Sequence, residues 1–245
     1  HIGFPMSDTM IKMPTDKITI GYAPVRGLGA PITMICSYSG QPFDVKHYEG
    51  IENKLGVDDW REGWWADKPK LMEKNAFINI PYIVDGDTVV SQSNAVLLYL
   101  GRKFNLLGAN NTELCKAEQA LCEIIDLRNK VVGICYGPKE SYEASAKEHF
   151  GSTIPLYYDK FDKWLQTNGT SYLAGNTITA PDFHLWEMLD QHEAWAKSLD
   201  LDQPLAAKPR LAAYHKLIRE DPKLQGYFEG PYYKLTINAC RAHFF

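Results

Sequence analysis

Three kinds of signal are missing from this sequence, and each absence bears on a class of function. No apolar run approaches the roughly 18 residues that would suggest a membrane span; the longest near-continuous stretch, Ala95 to Leu100, suits a buried helix. No block of like charge is present. The 26 Lys and Arg are scattered among 30 Asp and Glu, for a formal charge of -4, which argues against a surface for nucleic acid or anionic lipid and leaves small molecules or proteins as partners. The N-terminus HIGFPMSDTM lacks a basic segment followed by an apolar core, so it does not read as a secretory signal. Residues 1–16, with His1 to Pro5 ahead of Met6, are read as a disordered or vector-derived leader outside the fold.

Several chemical signatures are also missing. There is no G-x-x-x-x-G-K-[ST] phosphate loop and no G-x-G-x-x-G after the first strand, and the seven histidines show no H-E-x-x-H or paired ligand spacing, so no metal is expected. The five cysteines (Cys36, Cys115, Cys122, Cys135, Cys240) form no C-x-x-C pair and fall mostly within apolar helical patterns; buried, reduced thiols in a reducing, cytoplasmic compartment are expected. The sequons at Asn110 and Asn168 are then chance matches.

At 245 residues, 45% of them apolar, the chain has material for two domains. Lys17 to Ala23 alternates like a strand, Gly29 to Tyr38 has helical apolar spacing closed by Gly40, and Phe43 to Tyr48 reads as a second strand. Gly50 to Asn75 is polar, charged and rich in tryptophan, and reads as a functional loop with one short irregular helix. In PYIVDGDTVV, Asp85-Gly86 marks a two-residue hairpin turn, and SQSNAVLLYLGRKFNLLG follows as a helix that starts on serines able to cap it. The order β-α-β-α-β-β-α is that of a thioredoxin-like domain, over residues 17–105. From residue 112 to 245 strand signals vanish, and Thr112 to Tyr136, Tyr142 to Gln166, Pro181 to Ala196 and Pro209 to Glu220 show helical periodicity. Thr179-Ala180-Pro181-Asp182 is a strong helix start, with Thr179 capping and Asp182 reaching back to its amide. The fold class is α+β, a thioredoxin-like domain joined to an all-helical one.

That architecture, together with GYAPVRGLGAP, NIPYIVDGDTVVSQSNAVLLYL, GICYGP and AGNTITAPDF, resembles the soluble glutathione transferases, and the mu class among them, from about residue 17 to 190. The resemblance implies a homodimeric transferase, located in the cytoplasm, that joins glutathione as co-substrate to small apolar electrophiles. Its chemistry is legible in the residues as well. A thiol with a pKa near 8.5 is a few per cent ionised at neutral pH, and lowering that value by two units requires about 2.7 kcal/mol of thiolate stabilisation. Tyr22, at the end of the first strand, offers a neutral hydroxyl that can donate to sulfur, although a tyrosine in a strand is ordinarily core. The turn Tyr22-Ala23-Pro24-Val25-Arg26 holds no cysteine, so the nucleophile must come from the ligand.

By the same resemblance, Ile80-Pro81 is a cis-proline site whose backbone pairs with the cysteinyl unit of glutathione; from Pro81 alone, a trans proline opening a strand fits as well. Gln92 and Ser93 at a helix N-terminus would receive the γ-glutamyl carboxylate, or Ser93 would simply cap. Trp64 and Lys68 match the spacing that holds the glycine carboxylate, with Trp65 leaving the register open by one. Asn79 and Leu28 are further glutathione contacts, and Asp126 matches an acidic residue that reaches the neighbouring subunit's ligand. Tyr136 is either a second hydroxyl over the electrophile or a core tyrosine. Phe77 matches the aromatic key of the dimer interface. Two departures stand out: Ala23 replaces the tryptophan usual in the mu class, reshaping the electrophile pocket, and Thr33 stands where arginine is common. In the tail, Tyr232, Tyr233, Phe244 and Phe245 either cover that pocket or pack. A ligand-sequestering protein of the same fold and a glutathione-dependent isomerase, such as a prostaglandin isomerase, are the alternative functions.

Overall fold

The computed structural model describes residues 16–48 and 62–245; the leader up to residue 15 and the first part of the tryptophan-rich segment lie outside them. Strand β1 (Ile18–Tyr22) runs into helix α1 (Ala30–Tyr38) and strand β2 (Phe43–His47), and after α2 (Glu62–Lys74) come β3 (Tyr82–Asp85), β4 (Thr88–Ser91) and α3 (Ser93–Lys103). The sheet order is β2-β1-β3-β4. β1 lies parallel to β2 with Tyr22 opposite His47, and antiparallel to β3 with Gly21 opposite Tyr82. Gly21 has to be glycine there, because a Cβ would sit 2.0 Å from the Tyr82 ring. This is the thioredoxin-like arrangement expected. Among the described residues no strand follows Ser91.

The helical part comprises α4 (Asn111–Cys135), α5 (Lys139–Glu148), α6 (Ile154–Asn168), α7 (Ala180–Ser198), α8 (Pro209–Arg219) and the short α9 (Gln225–Glu229). α7 is its axis: 14 of its 19 residues are buried. Its first turn is the expected capping box, with the Thr179 amide donating to Asp182 Oδ2 at 2.7 Å. One continuous apolar core runs from Ile20, Ile32 and Leu97 through Leu127 to Phe183, Trp186 and Phe228, so sheet, α1, α3 and the helices share an interior. No described helix is long and apolar enough to cross a membrane.

Four expectations need correction. The tryptophan-rich segment is, from Glu62 to Lys74, a 13-residue helix with Pro69 inside it, and it buries only Trp64. Docking of Trp64 onto Tyr48, Ile78 and Tyr82 holds it, rather than the apolar stripe that periodicity detects. The hairpin turn falls on Gly86-Asp87, since Asp85 pairs with Thr88, and Gly86 supplies the positive φ of 59°. The expected helix from Tyr142 to Gln166 is two helices joined by a π-helical turn at His149–Thr153. Pro155, which has no amide to donate back to Gly151, sits where α6 begins. Finally, only Cys36 and Cys135 are buried; Cys115 and Cys122 are exposed on the face of α4 turned from the core, and Cys240 is exposed in the C-terminal tail.

Candidate functional site

β1, an interior strand, delivers Tyr22 to the end of the sheet, where it is 9% exposed. The turn that follows wraps over its ring. Gly27 has φ 34°, and a Cβ there would lie 2.6 Å from the Tyr22 oxygen; a Cβ on Gly29 would lie 2.6 Å from Cδ1 of the same ring. The wrap brings the Leu28 amide onto the phenol, donating to Tyr22 Oη at 3.0 Å. The oxygen therefore accepts from the backbone while its own proton stays available for an external acceptor.

The same turn is tied to the C-terminal tail. The Arg26 amide donates to the Thr236 carbonyl at 2.8 Å and the Gly27 amide to that of Ile237 at 3.0 Å. Tyr232 and Leu235 then close over Ala23, Val25 and Thr33, leaving a cavity of about 10 Å³, room for about one water. Thr33, buried in α1, turns its hydroxyl onto the Ala30 carbonyl at 3.0 Å.

Tyr136 follows directly after α4, and its hydroxyl accepts from the Ala239 amide at 2.9 Å. Burial pushes its pKa up, and the nearby Tyr22 adds to this, so it stays protonated at neutral pH. The site therefore holds two phenols, each with its oxygen engaged by a backbone amide and its proton uncommitted. Of the tail aromatics, Tyr233 stacks on Arg26 and Phe244 on Trp195, both as packing, while Phe245 is exposed.

On the far side of Tyr22, the Ile80–Pro81 peptide is cis and precedes β3. Asn79 and Ser91 are bonded reciprocally, the Asn79 amide to Ser91 Oγ at 2.9 Å and that hydroxyl back to the Asn79 carbonyl at 2.9 Å. The Ile80 amide donates to Asn79 Oδ1. Gln92 is exposed with φ 70°, in the left-handed region, and α3 starts after it with no side-chain cap. Neither Ser91 nor Ser93 caps the helix as expected: Ser91 is spent on Asn79, and Ser93 lies inside the first turn. Its first amides are thus left without a protein side chain.

Trp64 is 4% exposed, stacked on Tyr82 at 6.0 Å. Trp65 is 53% exposed, and the Lys68 ammonium lies 4.9 Å from its ring and 5.6 Å from that of Trp64. Beneath them Tyr48 donates to Asp67 at 2.9 Å and meets the Tyr82 hydroxyl at 2.5 Å, while Lys46 pairs with Asp67. The fold thus brings Tyr22, Leu28, Ile80, Pro81, Gln92 and Ser93 to one end of the sheet through the pairing of β1, β3 and β4, with Asn79 tied in by Ser91. Asp126 on α4 and Phe77, 83% exposed, face solvent instead. No group of three or more His, Cys, Asp or Glu among the described residues is placed to hold a metal.

Sequence reasoning missed the engagement of both phenol oxygens by amides, and the burial of Arg26 against α7. The first has no sequence signal, because the amide of any residue other than proline can donate. The second had one: Glu187 and Asp190 stand three apart on the most buried helix, where carboxylates need a partner.

A family model for the glutathione S-transferase C-terminal domain matches residues 125–231. Glutathione S-transferase B of Cavia porcellus is 32% identical over 84% of this chain and 94% of its own, and glutathione S-transferase Mu 1 of Mus musculus is 34% identical over 74% and 79%. A glutathione S-transferase of Tyrophagus putrescentiae is 29% identical over 89% and 95%. Among solved structures, the glutathione S-transferase Blo t 8 superposes with a TM-score of 0.79 at 26% identity, over 91% of this chain and 98% of that one.

Proposed function

The chain belongs to the glutathione S-transferase family, and from that premise we propose that Tyr22 is the residue that activates glutathione, by donating its hydroxyl proton to the thiolate. The enzyme is a transferase that conjugates glutathione to electrophiles, mu-like by the names of its relatives. The observation that carries the assignment is the bond from the Leu28 amide to Tyr22 Oη, which leaves the Tyr22 proton free to donate at the end of β1 beside the cis Ile80–Pro81 turn. A hydrogen bond to a charged group contributes about 1.5–3 kcal/mol, enough on its own for most of the two-unit shift needed. The thiol proton is lost to solvent, the thiolate attacks the electrophilic carbon, and the displaced group or opened oxygen takes up a proton. Tyr22 remains protonated throughout.

The remaining assignments follow the same geometry. The Ile80 and Pro81 backbone, beside Tyr22, holds the cysteinyl unit; Gln92, Ser93 and the uncapped start of α3 take the γ-glutamyl carboxylate. Lys68, over Trp64 and Trp65, takes the glycine carboxylate, with Asn79 and Leu28 along the groove. Tyr136 donates to the oxygen that gains charge on the electrophile, beside Ala23. Phe77 and Asp126 are solvent-facing in the single chain, which fits a homodimer in which Phe77 enters the partner and Asp126 reaches its glutathione. Residues 17–105 form the glutathione-binding domain and 112–245 the electrophile-binding one, in a cytoplasmic enzyme.

The test is ultraviolet titration of glutathione bound to the wild type and to Tyr22→Phe. A thiolate pKa well below that of free glutathione, lost in the variant, is the expected result. A thiol that titrates as in water in both proteins would instead make this a binding protein of the same fold.

A further inference from the structure

The turn over Tyr22 is attached to α7 by a buried charge cluster whose carboxylates are not among the residues assigned to glutathione above. The Arg26 guanidinium, 6% exposed, meets Glu187 on α7 with two parallel bonds, Nε to Oε1 and Nη2 to Oε2, both 2.9 Å. Nη2 also reaches Asp190 Oδ2 at 2.5 Å, one turn further along. Tyr233 lies over the guanidinium at 4.6 Å and donates to Asp190, and Gln191 donates to Glu187 Oε1 at 2.8 Å. His215 faces Asp190 from α8 at 3.4 Å. Nε and Nη2 of the guanidinium are thus both committed to carboxylates of α7. Burying such a cluster costs desolvation that its attractions barely offset, so stability alone is a poor reason for it. What it supplies is a rigid geometry.

Three consecutive amides of the turn are held in three directions: Arg26 to Thr236, Gly27 to Ile237 and Leu28 to Tyr22 Oη. We propose that Arg26 is a positioning residue of the reaction: its fork on Glu187 and Asp190 sets the turn so that the Leu28 amide bonds to the Tyr22 oxygen, strengthening that hydroxyl as a donor to the thiolate. This rests on the assignment of Tyr22 made above. A phenol oxygen that already accepts a bond gives up its proton more readily and so donates more strongly to sulfur. A lysine at 26 retains the charge but has no fork, so it cannot hold both ends of Glu187 at once.

The experiment measures the thiol pKa of bound glutathione, with kcat and KM against pH, in wild type, Arg26→Lys, Tyr22→Phe and the double variant. The expected result for Arg26→Lys is a rise of about one unit in the bound thiol pKa, equivalent to about tenfold less thiolate below that pKa. The loss falls on kcat at low pH, recovers at high pH, and leaves KM for glutathione within about threefold. In the Tyr22→Phe background the Arg26→Lys effect disappears, because the two act through one hydrogen bond. An unchanged thiol pKa in folded Arg26→Lys overturns the proposal, as does a shift that persists without the Tyr22 hydroxyl. If Arg26→Lys does not fold, Glu187→Gln, which keeps the side-chain shape and removes the charge facing the fork, carries the same expectations. A Tyr22→Phe variant with unaltered thiol pKa would instead sink the assignment of Tyr22 itself.

Discussion

His149 and His192 meet nitrogen to nitrogen in the helical core, Nε2 to Nε2 at 3.3 Å, with both rings buried beside Trp195. Two imidazoles at that distance can share at most one proton between them, and neither ring tolerates a full charge there. Burial, with Lys130 nearby, pushes His149 down to about 4. Burial holds His192 well below the usual range, with His149 adding to it, and His184, also buried in α7, falls to about 3.

A steep acid limb of stability follows. Histidines whose folded pKa is depressed contribute fully above the unfolded value, about 6.5, and that contribution is lost as pH falls below it, because the unfolded chain takes up protons that the folded one refuses. Each such histidine removes about 1.4 kcal/mol per pH unit until its folded pKa is reached. Chemical denaturation from pH 7 to 4.5 is expected to show a slope of several kcal/mol per unit near pH 5. His149→Gln flattens it by about a third; an unchanged slope would mean that the buried histidines are not its source.

Gly29→Ala tests the wrap over Tyr22. Gly29 has an ordinary φ of -77°, so the cost is purely steric: the new Cβ would lie 2.6 Å from the ring and displace it. Overpacking of this kind costs about 1–3 kcal/mol. kcat/KM for conjugation is expected to drop at least tenfold. The control is Gly226→Ala in α9, where a Cβ meets nothing within 4 Å and stability should hold or rise by up to about 1 kcal/mol. Equal behaviour of the two variants would rule out steric control of Tyr22.

The order of strands and helices along the chain and most helices were legible because each rests on local pattern: alternation in Lys17 to Ala23, the glycine at 86, the capping box at Thr179. Tyr22 and the Ile80-Pro81 turn were legible by resemblance, as family landmarks. What escaped was set by tertiary contact. The helix from Glu62 has its apolar docking concentrated in Trp64, so no periodicity announces it. The engagement of Tyr136 by the Ala239 amide joins residues 103 apart, and no window along the chain contains both.

That Ala239 bond gives Tyr136→Phe two separable effects. The free phenol proton is lost to the electrophile, so turnover of epoxides, where an oxygen gains charge, is expected to fall about tenfold or more, while displacement at an aryl halide carbon changes little. The thiol pKa of bound glutathione stays as in wild type. The partly buried Ala239 amide also loses its acceptor, which costs about 1–3 kcal/mol and loosens the tail. Parallel assays on an epoxide and an aryl halide decide it: equal losses on both would assign Tyr136 to folding rather than to chemistry.

Asp182 is the most heavily used carboxylate of the helical domain. It is fully buried, and it accepts from the Thr179 amide at 2.7 Å, the Thr179 hydroxyl at 2.6 Å, the Leu173 amide at 2.9 Å and the Tyr214 hydroxyl at 2.8 Å. Burial pushes its pKa up, and these bonds pull it only part of the way back. Asp182→Ala leaves three donors without a partner at the start of α7, the helix that carries Glu187 and Asp190: the Thr179 amide and hydroxyl and the Leu173 amide, while the Tyr214 hydroxyl keeps the backbone carbonyl of residue 182 at 3.3 Å. Each stranded donor costs about 1–3 kcal/mol, reduced wherever water can enter, so a loss of about 3 kcal/mol or more is expected. At about 2–4 °C per kcal/mol for a chain of this size, Tm falls by roughly 6 °C or more. Asp182→Asn keeps one acceptor oxygen but turns an NH2 group toward two donors, and should fall between the alanine variant and wild type. A Tm for Asp182→Ala within 2–3 °C of wild type, roughly 1 kcal/mol, would show that water replaces the carboxylate and that the capping box is not what starts α7.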